Sequence, residues 1–110
     1  MVRDGYPEIP LYVTENGAAM PDPDVVDRAL HDPDRIEYLD SHHRAALRAI
    51  ADGIDLRGYF VWTLMDNWEW AEGFGAKFGL YHVDFATQQR TPKDSALWFA
   101  EVTRRNGLAP

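Results

Sequence analysis

The order strand, helix, strand is the feature that most constrains the fold of this chain. Residues 11–14 form a short apolar and β-branched run followed by polar residues, which predicts a buried strand. Apolar residues recur at three- and four-residue steps from Ile36 to Ile50, which predicts a helix. Residues 56–65 are almost continuously apolar and aromatic, which is typical of a strand covered on both faces. Such a crossover joins parallel strands, so we expect an α/β fold.

The ends of the predicted helix carry their own signals. Asp32 is placed to cap it, Pro33 suits its first position, and Gly53 ends it. The face opposite the apolar residues carries charged side chains, as a solvated face should: Glu37, Asp40, Arg44, Arg48 and Asp52.

The segments around this unit are shorter or less regular. Residues 18–31 contain two prolines and several aspartates, which predicts a loop long enough to be functional. Residues 80–85 alternate like a strand, and residues 88–91 are expected to pair back as a hairpin. Pro92 is expected to open a second helix that ends at Asn106 and Gly107. The apolar side of that helix is predicted to contain Leu97, Phe99 and Val102.

A unit of this size leaves its sheet incomplete. Two parallel strands with two helices leave both sheet edges unpaired and much of its surface uncovered. The chain has 110 residues, of which 45% are hydrophobic and 26% charged, which is the composition of one globular unit. We therefore expect residues 1–110 to form a single incomplete domain that belongs to something larger.

Composition disfavours several classes of partner. A net charge of −7 predicts no nucleic-acid partner and no binding to an anionic membrane. There is no cysteine, and the adjacent His42 and His43 would diverge by about 100° on a helix, so no metal site is predicted. No cofactor is expected either. The sequence shows no signal-peptide pattern and no long apolar run, which favours a cytoplasmic location.

The most distinctive segment is rich in tryptophan. Three tryptophans fall within nine positions, interspersed with carboxylates and an amide: Trp62, Asp66, Asn67, Trp68, Glu69 and Trp70. A sugar presents apolar C–H faces and hydroxyl groups, so a sugar site needs flat aromatic walls beside carboxylates and amides. The simpler interpretation of each residue alone is a core tryptophan or a solvated acid at a strand end.

Glu15 lies at the end of the first predicted strand. The carboxyl ends of parallel strands meet at one edge of a sheet, so we expect Glu15 near the tryptophan-rich segment. A carboxylate beside a sugar-binding wall can act as the nucleophile of a retaining glycosidase. An exposed acid with no catalytic role is the alternative.

Several segments together resemble a known family. Residues 11–17, Leu-Tyr-Val-Thr-Glu-Asn-Gly, are similar to the nucleophile motif of family 1 glycoside hydrolases, the β-glucosidase family. Residues 58–74 resemble that family's glycone-binding strand and loop, and the match continues through residues 77–80 and 90–96. The resemblance implies a partial TIM (β/α)8 barrel, namely its last two βα units with a short β-hairpin.

The resemblance also implies a role for each matching residue. Glu15 would be the catalytic nucleophile, and Asn16 and Gly17 would shape the turn that presents it. Trp62 would form the wall under the sugar. The other residues expected to bind or line the sugar are Glu69, Trp70 and Phe78. Because a carboxylate at Glu69 would repel a phosphate, we expect the substrate to be an unphosphorylated β-glucoside or related β-glycoside.

A second catalytic carboxyl group is expected to be missing from this sequence. Retaining hydrolysis needs an acid/base about 5–5.5 Å from the nucleophile, and the resemblance places it in an Asn-Glu-Pro motif that does not occur here. Glu72 is the only rival within the chain. We therefore expect a C-terminal portion of a β-glucosidase that is inactive alone and needs the missing N-terminal part of the barrel. A non-catalytic sugar-binding module and an inactive truncation product are the alternatives.

Overall fold

The fold follows the predicted element order. A computed structural model describes residues 9–21 and 30–110, so residues 22–29 of the predicted loop lie outside the described residues. The elements are β1 (Leu11–Asn16), α1 (Pro33–Ala51), β2 (Leu56–Val61), a 3-10 turn (Trp70–Glu72), β3 (Tyr81–Val83), β4 (Arg90–Pro92) and α2 (Asp94–Arg105). None of the helices in these ranges is long and apolar enough to cross a membrane.

Strands β1 and β2 pair in parallel, as predicted. Val13 lies opposite Tyr59 and Asn16 opposite Val61, with two irregularities in the register. The pairing carries β1 two residues beyond the predicted end at residue 14, because the backbone N–H of Trp62 donates to the Asn16 carbonyl over 2.9 Å. Glu15 is therefore the penultimate residue of the strand rather than the first residue after it.

The prediction that β2 extends to residue 65 and is covered on both faces is wrong. The strand ends at Val61, and the side chain of Phe60 is 59% exposed. Tyr59 packs against the helices through His43, whereas the alternation of a strand turns Phe60 to the opposite face. Tyr12, which lies opposite Gly58 on the same face as Phe60, is 55% exposed, so this face is open to water in the part of the chain that the structure describes.

The core lies between the first half of α1, α2 and the sheet. Its buried members are Leu39, Leu80 and Ala96. Partly buried side chains pack around them: Tyr38, Val61, Tyr81, Trp98 and Phe99. The apolar stripe of α1 runs past this core, so Leu47 and Ile50 are 51% and 46% exposed.

Asp32 does not cap α1 with its side chain. It occupies the position before the helix, but its buried carboxylate accepts hydrogen bonds from Arg35 Nε at 2.8 Å and from the Ser95 hydroxyl at 2.6 Å. The predicted cap position is confirmed, but the side chain makes no cap hydrogen bond, because a charged guanidinium is a stronger donor to a carboxylate than the free N–H groups of the first turn.

The C-terminal hairpin and helix differ from prediction at their boundary. Strands β3 and β4 are antiparallel, with Tyr81 opposite Pro92. Pro92 therefore ends β4 and does not open α2, which begins at Asp94. A proline fits there because the end of a short edge strand tolerates a missing N–H.

The predicted apolar side of α2 is confirmed at Phe99, which packs against the core, and wrong at Leu97. Ser95 and Ala96 are its buried residues, whereas Leu97 is 62% exposed and faces away from the core. The predicted end of the helix is confirmed. Asn106 adopts a left-handed backbone with φ of 52°, and the N–H of Gly107 bonds to the Val102 carbonyl.

Substitutions of two leucines on the apolar face of α1 test which part of the helix packs in the core. We expect Leu39→Ala to lower the free energy of unfolding by about 2–5 kcal/mol, because it leaves a cavity in the core. Leu47→Ala, on the same helix, should cost less than about 1 kcal/mol because that side chain is half exposed. Urea unfolding of the two variants measures both values, and equal losses would contradict the assignment.

Candidate active site

Three of the predicted site residues border one cavity. Glu15, Trp62 and Phe78 line a cavity of about 290 Å³ together with Asn16 and Gly17. Glu15 comes from the end of β1, and Trp62 directly follows β2. The parallel pairing of the two strands is what brings these side chains to the same edge of the sheet.

The backbones of the two strand ends lie in close contact at Gly17. A Cβ atom at Gly17 would lie 1.8 Å from the carbonyl oxygen of Trp62, so only a glycine allows this approach. The peptide bond between Trp62 and Thr63 is cis. The Thr63 N–H donates to the carbonyl of Phe78 over 3.3 Å. This bond connects the segment after Trp62 to the segment that contains Phe78.

Glu69 and Trp70 stand outside the cavity lining. Glu69 is joined to it because the indole Nε1–H of Trp62 donates to Glu69 Oε1 over 3.2 Å. Trp70 is 86% exposed, and its backbone φ of 46° lies in the left-handed region that bulky residues rarely adopt. The turn is closed by the Glu69 N–H, which donates to the Gly73 carbonyl over 2.7 Å.

Two tyrosines hold the residue that follows Glu15. The Tyr59 hydroxyl donates to Asn16 Oδ1 over 2.6 Å, and Asn16 Nδ2 donates to the Tyr38 hydroxyl over 3.2 Å. The Tyr38 hydroxyl in turn donates to the Gly17 carbonyl over 3.3 Å. Burial raises the pKa of Tyr59 to about 12, so its hydroxyl remains a donor throughout the neutral range. The turn expected at Asn16 and Gly17 is thus fixed by side chains that were predicted only as helix or strand residues.

Arg35 was not predicted as a site residue, but it contacts the segment after Gly17 and the segment that contains Phe78. Its guanidinium donates from Nη1 to the carbonyls of Ala18 and Phe78, over 2.8 and 3.2 Å, and from Nη2 to the carbonyl of Lys77 over 3.0 Å. One sequence signal was available. Arg35 lies four residues before Leu39, so a helix places this basic residue on the buried face.

A second buried ion pair supports the loop that carries Glu69. Asp66 Oδ1 lies 3.3 Å from Lys93 Nζ and accepts the Gly79 N–H over 2.9 Å, and both ionic side chains are fully buried. His82 Nδ1 lies 3.5 Å from the other oxygen of Asp66. The loop after β2 is therefore attached to the start of α2 as well as to β3.

The adjacent histidines make separate contacts within α1 and its surroundings. His42 stacks on Tyr38 with ring centroids 4.0 Å apart, whereas His43 packs against Tyr59 at 4.3 Å. Each Nδ1 lies 2.7 Å from the backbone carbonyl four residues earlier. Within the part of the chain that the structure describes, no three His, Cys, Asp or Glu side chains form a group that could hold a metal ion.

Comparison with known proteins identifies the family. Residues 1–108 match the sequence profile of glycosyl hydrolase family 1. The chain belongs to glycosyl hydrolase family 1. It is 48% identical over 107 residues to β-glucosidase A of Thermotoga maritima. The alignment covers 97% of this chain and 24% of that enzyme. It is 53% identical over 103 residues to thermostable β-glucosidase B of Thermobispora bispora. That alignment covers 94% of this chain and 21% of the relative.

Solved structures of family 1 enzymes superpose closely on this chain. The family 1 β-glucosidase from Thermotoga maritima matches with a TM-score of 0.95 at 47% identity, over 99% of this chain and 25% of that one. The same enzyme has been solved in complex with noeuromycin and with deoxynojirimycin. The chain thus spans about a quarter of the length of the family 1 relatives it matches.

These findings confirm the family resemblance and support a partial barrel as the fold. Which of the eight βα units of the family 1 barrel β1 and β2 represent stays a prediction. The roles expected for Glu15, Trp62, Glu69, Trp70 and Phe78 also stay predictions, although the cavity brings three of these side chains together.

The contact at Gly17 yields a test of the site geometry. We expect Gly17→Ala to lower the free energy of unfolding by about 1–3 kcal/mol, because the added methyl group meets a backbone oxygen that cannot rotate away. It should also displace Trp62 and change the tryptophan fluorescence of the folded chain.

Gly107→Ala is the matched control for this substitution. A Cβ atom at Gly107 would meet no atom within 4 Å. This variant should leave both the fluorescence and the urea midpoint close to those of the unchanged chain. Equal effects of the two substitutions would contradict the close approach of the strand ends.

Proposed function

We propose that this chain is the C-terminal portion of a retaining β-glucosidase and supplies its nucleophile and sugar-binding wall. The observation that carries the proposal is the shared cavity of Glu15, Trp62 and Phe78. Relatives at 48–53% identity are β-glucosidases, which supports the substrate class. The deoxynojirimycin complex of the Thermotoga maritima enzyme supports a glycoside substrate in the same way.

The proposed reaction starts with the carboxylate of Glu15. One of its oxygens attacks the anomeric carbon while the bond from that carbon to the leaving oxygen breaks, and the leaving oxygen takes a proton from a separate acid. A glycosyl ester on Glu15 results. Water then attacks the same carbon, its proton goes to the conjugate base of that acid, and Glu15 is released as a carboxylate.

The aromatic and acidic residues of the loop would hold the sugar during these steps. The indole of Trp62 offers a flat wall for the C–H face of the ring, and Phe78 borders the same space. The Glu69 carboxylate accepts hydrogen bonds only, which suits sugar hydroxyls. It would also repel a sugar phosphate a few ångströms away by about 1 kcal/mol or more, so we propose an unphosphorylated substrate.

We propose that the acid/base comes from the N-terminal part of the barrel. The sequence contains no Asn-Glu-Pro motif. Glu72, the rival within the chain, lies in the 3-10 turn and is absent from the residues that line the cavity. Hydrolysis would then require a second polypeptide segment in addition to Glu15.

Turnover assays test this division of roles. We expect the isolated chain to hydrolyse no aryl β-glucoside, and a mixture with the remaining part of Thermotoga maritima β-glucosidase A to show activity. In that mixture, a 2-deoxy-2-fluoroglucoside with a dinitrophenolate leaving group should label Glu15, detected by mass spectrometry of peptides. Such a leaving group departs without protonation, so labelling depends on the nucleophile rather than on the acid.

Two variants sharpen the test. Glu15→Gln should abolish both labelling and turnover in the mixture, whereas Glu72→Gln should preserve them. Turnover by the isolated chain, or a label on another residue, would contradict the proposal. Saturable glucose binding by the monomeric isolated chain in calorimetry would instead favour a sugar-binding module, and aggregation with no ligand response would favour an inactive truncation product.

Because Trp70 is exposed, its proposed role in sugar binding can be tested without a large change in the stability of the chain. Because the side chain is 86% exposed, Trp70→Ala should change the free energy of unfolding by less than about 0.5 kcal/mol. It should nevertheless weaken binding of deoxynojirimycin to the mixture by about tenfold, the effect of removing an aromatic anchor. Leu97→Ala, at an exposed site on α2, is the control, and equal affinities for both variants would contradict the role of Trp70.

A further inference from the structure

Arg35 is a charged side chain in an almost fully buried position. It is 2% exposed and lies on the buried face of α1 with Leu39. A buried guanidinium is tolerated only when its charge is paired and its donors are satisfied. Asp32 provides the charge partner, with 2.8 Å between Arg35 Nε and Asp32 Oδ2.

The remaining donors of Arg35 do not serve that ion pair. They reach three backbone carbonyls, of which Ala18 belongs to the segment after β1 and Lys77 and Phe78 belong to the segment before β3. The first segment directly follows Gly17 of the cavity lining, and the second contains Phe78 of the same lining. One planar group therefore spans both sides of the cavity.

The contacts of Arg35 also lead to the segment that carries Trp62. The Phe78 carbonyl that accepts from Arg35 also accepts the N–H of Thr63, the residue after Trp62. On the other side, Asp32 is fixed by the backbone N–H and the hydroxyl of Ser95, at 2.8 and 2.6 Å. The ion pair of Asp32 and Arg35 is thus hydrogen-bonded to the start of α2 on one side and to the segments beside the cavity on the other.

We propose that Arg35 is a positioning residue of this site: its guanidinium fork holds the end of the strand that carries Glu15 in register with the segment that carries Phe78. The inference rests on the proposed function, because it assigns to Glu15 and Phe78 the task of binding and attacking one sugar. Arg35 itself has no place in the cavity lining and acts only through the carbonyls that it holds.

A conservative variant distinguishes a positioning role of Arg35 from a role limited to its ion pair with Asp32. Arg35→Lys keeps a positive charge beside Asp32, but a lysine ammonium is a point donor without the rigid fork that reaches several carbonyls at fixed angles. Arg44→Lys is the matched control, because Arg44 lies on the same helix and pairs with Asp40 at the surface over 2.7 Å. Arg35→Ala removes both the charge and the fork.

The first measurement requires no activity. In two-dimensional ¹H–¹⁵N spectra of the full chain, Arg35→Lys should shift the indole signal of Trp62, whose N–H donates to Glu69. The indole signal of Trp98, which packs near His43 in the core, should stay in place and so report that the chain is folded. Arg44→Lys should move neither signal.

The second measurement tests the consequence for catalysis. In the mixture with the remaining part of the Thermotoga maritima enzyme, Arg35→Lys should lower kcat by about 10–100-fold, the usual effect of a misplaced reacting group, with a smaller change in KM. Added guanidinium ion should restore part of the kcat of Arg35→Ala. If Arg35→Ala fails to fold, the spectra and kcat of Arg35→Lys decide the question.

The results that would overturn the proposal are specific. A folded Arg35→Lys chain with an unchanged Trp62 signal and an unchanged kcat would show that Arg35 is only a structural ion pair. An inactive mixture containing the unchanged chain would contradict the proposed function alone, because the indole spectra do not depend on turnover.

Discussion

The parallel pairing of β1 with β2 is the constraint on which the other features depend. It brings Glu15 and Trp62 to the same sheet edge, and the bond from the Trp62 N–H to the Asn16 carbonyl extends this pairing to the edge of the cavity. Helix α1 is long enough to connect the two strands in parallel, and it carries the side chains that fix both strand ends. The same helix therefore produces the topology and supports the site.

The support for the site comes from polar groups that are buried or partly buried. Tyr38 and Tyr59 hold Asn16, Arg35 holds three carbonyls, and the pair of Asp66 and Lys93 holds the loop that carries Glu69. A buried polar group that is hydrogen-bonded has few alternative geometries, because most other arrangements leave a donor or acceptor without a partner. Such groups give the cavity walls defined positions although their own side chains, apart from Asn16, lie outside the cavity.

Periodicity and motif were enough to predict the helix, the parallel strands and the residues that meet at the cavity. They could not predict that Asp32 also binds Ser95, because Ser95 lies 63 positions further along the chain and a local rule compares only neighbouring donors. They also overestimated burial at Phe60 and Leu97. A pattern of apolar residues indicates which face would be buried if a neighbouring layer were present, and among the described residues no layer covers these side chains.

The uncovered apolar side chains have a thermodynamic consequence. Tyr12, Phe60 and Leu47 are already more than half exposed to water in the folded chain. Unfolding therefore hydrates less additional apolar surface than it would in a closed domain of the same length, and the heat-capacity increment scales with that surface. The stability of this chain should accordingly vary with temperature along an unusually flat curve, and its dependence on denaturant concentration should be shallow.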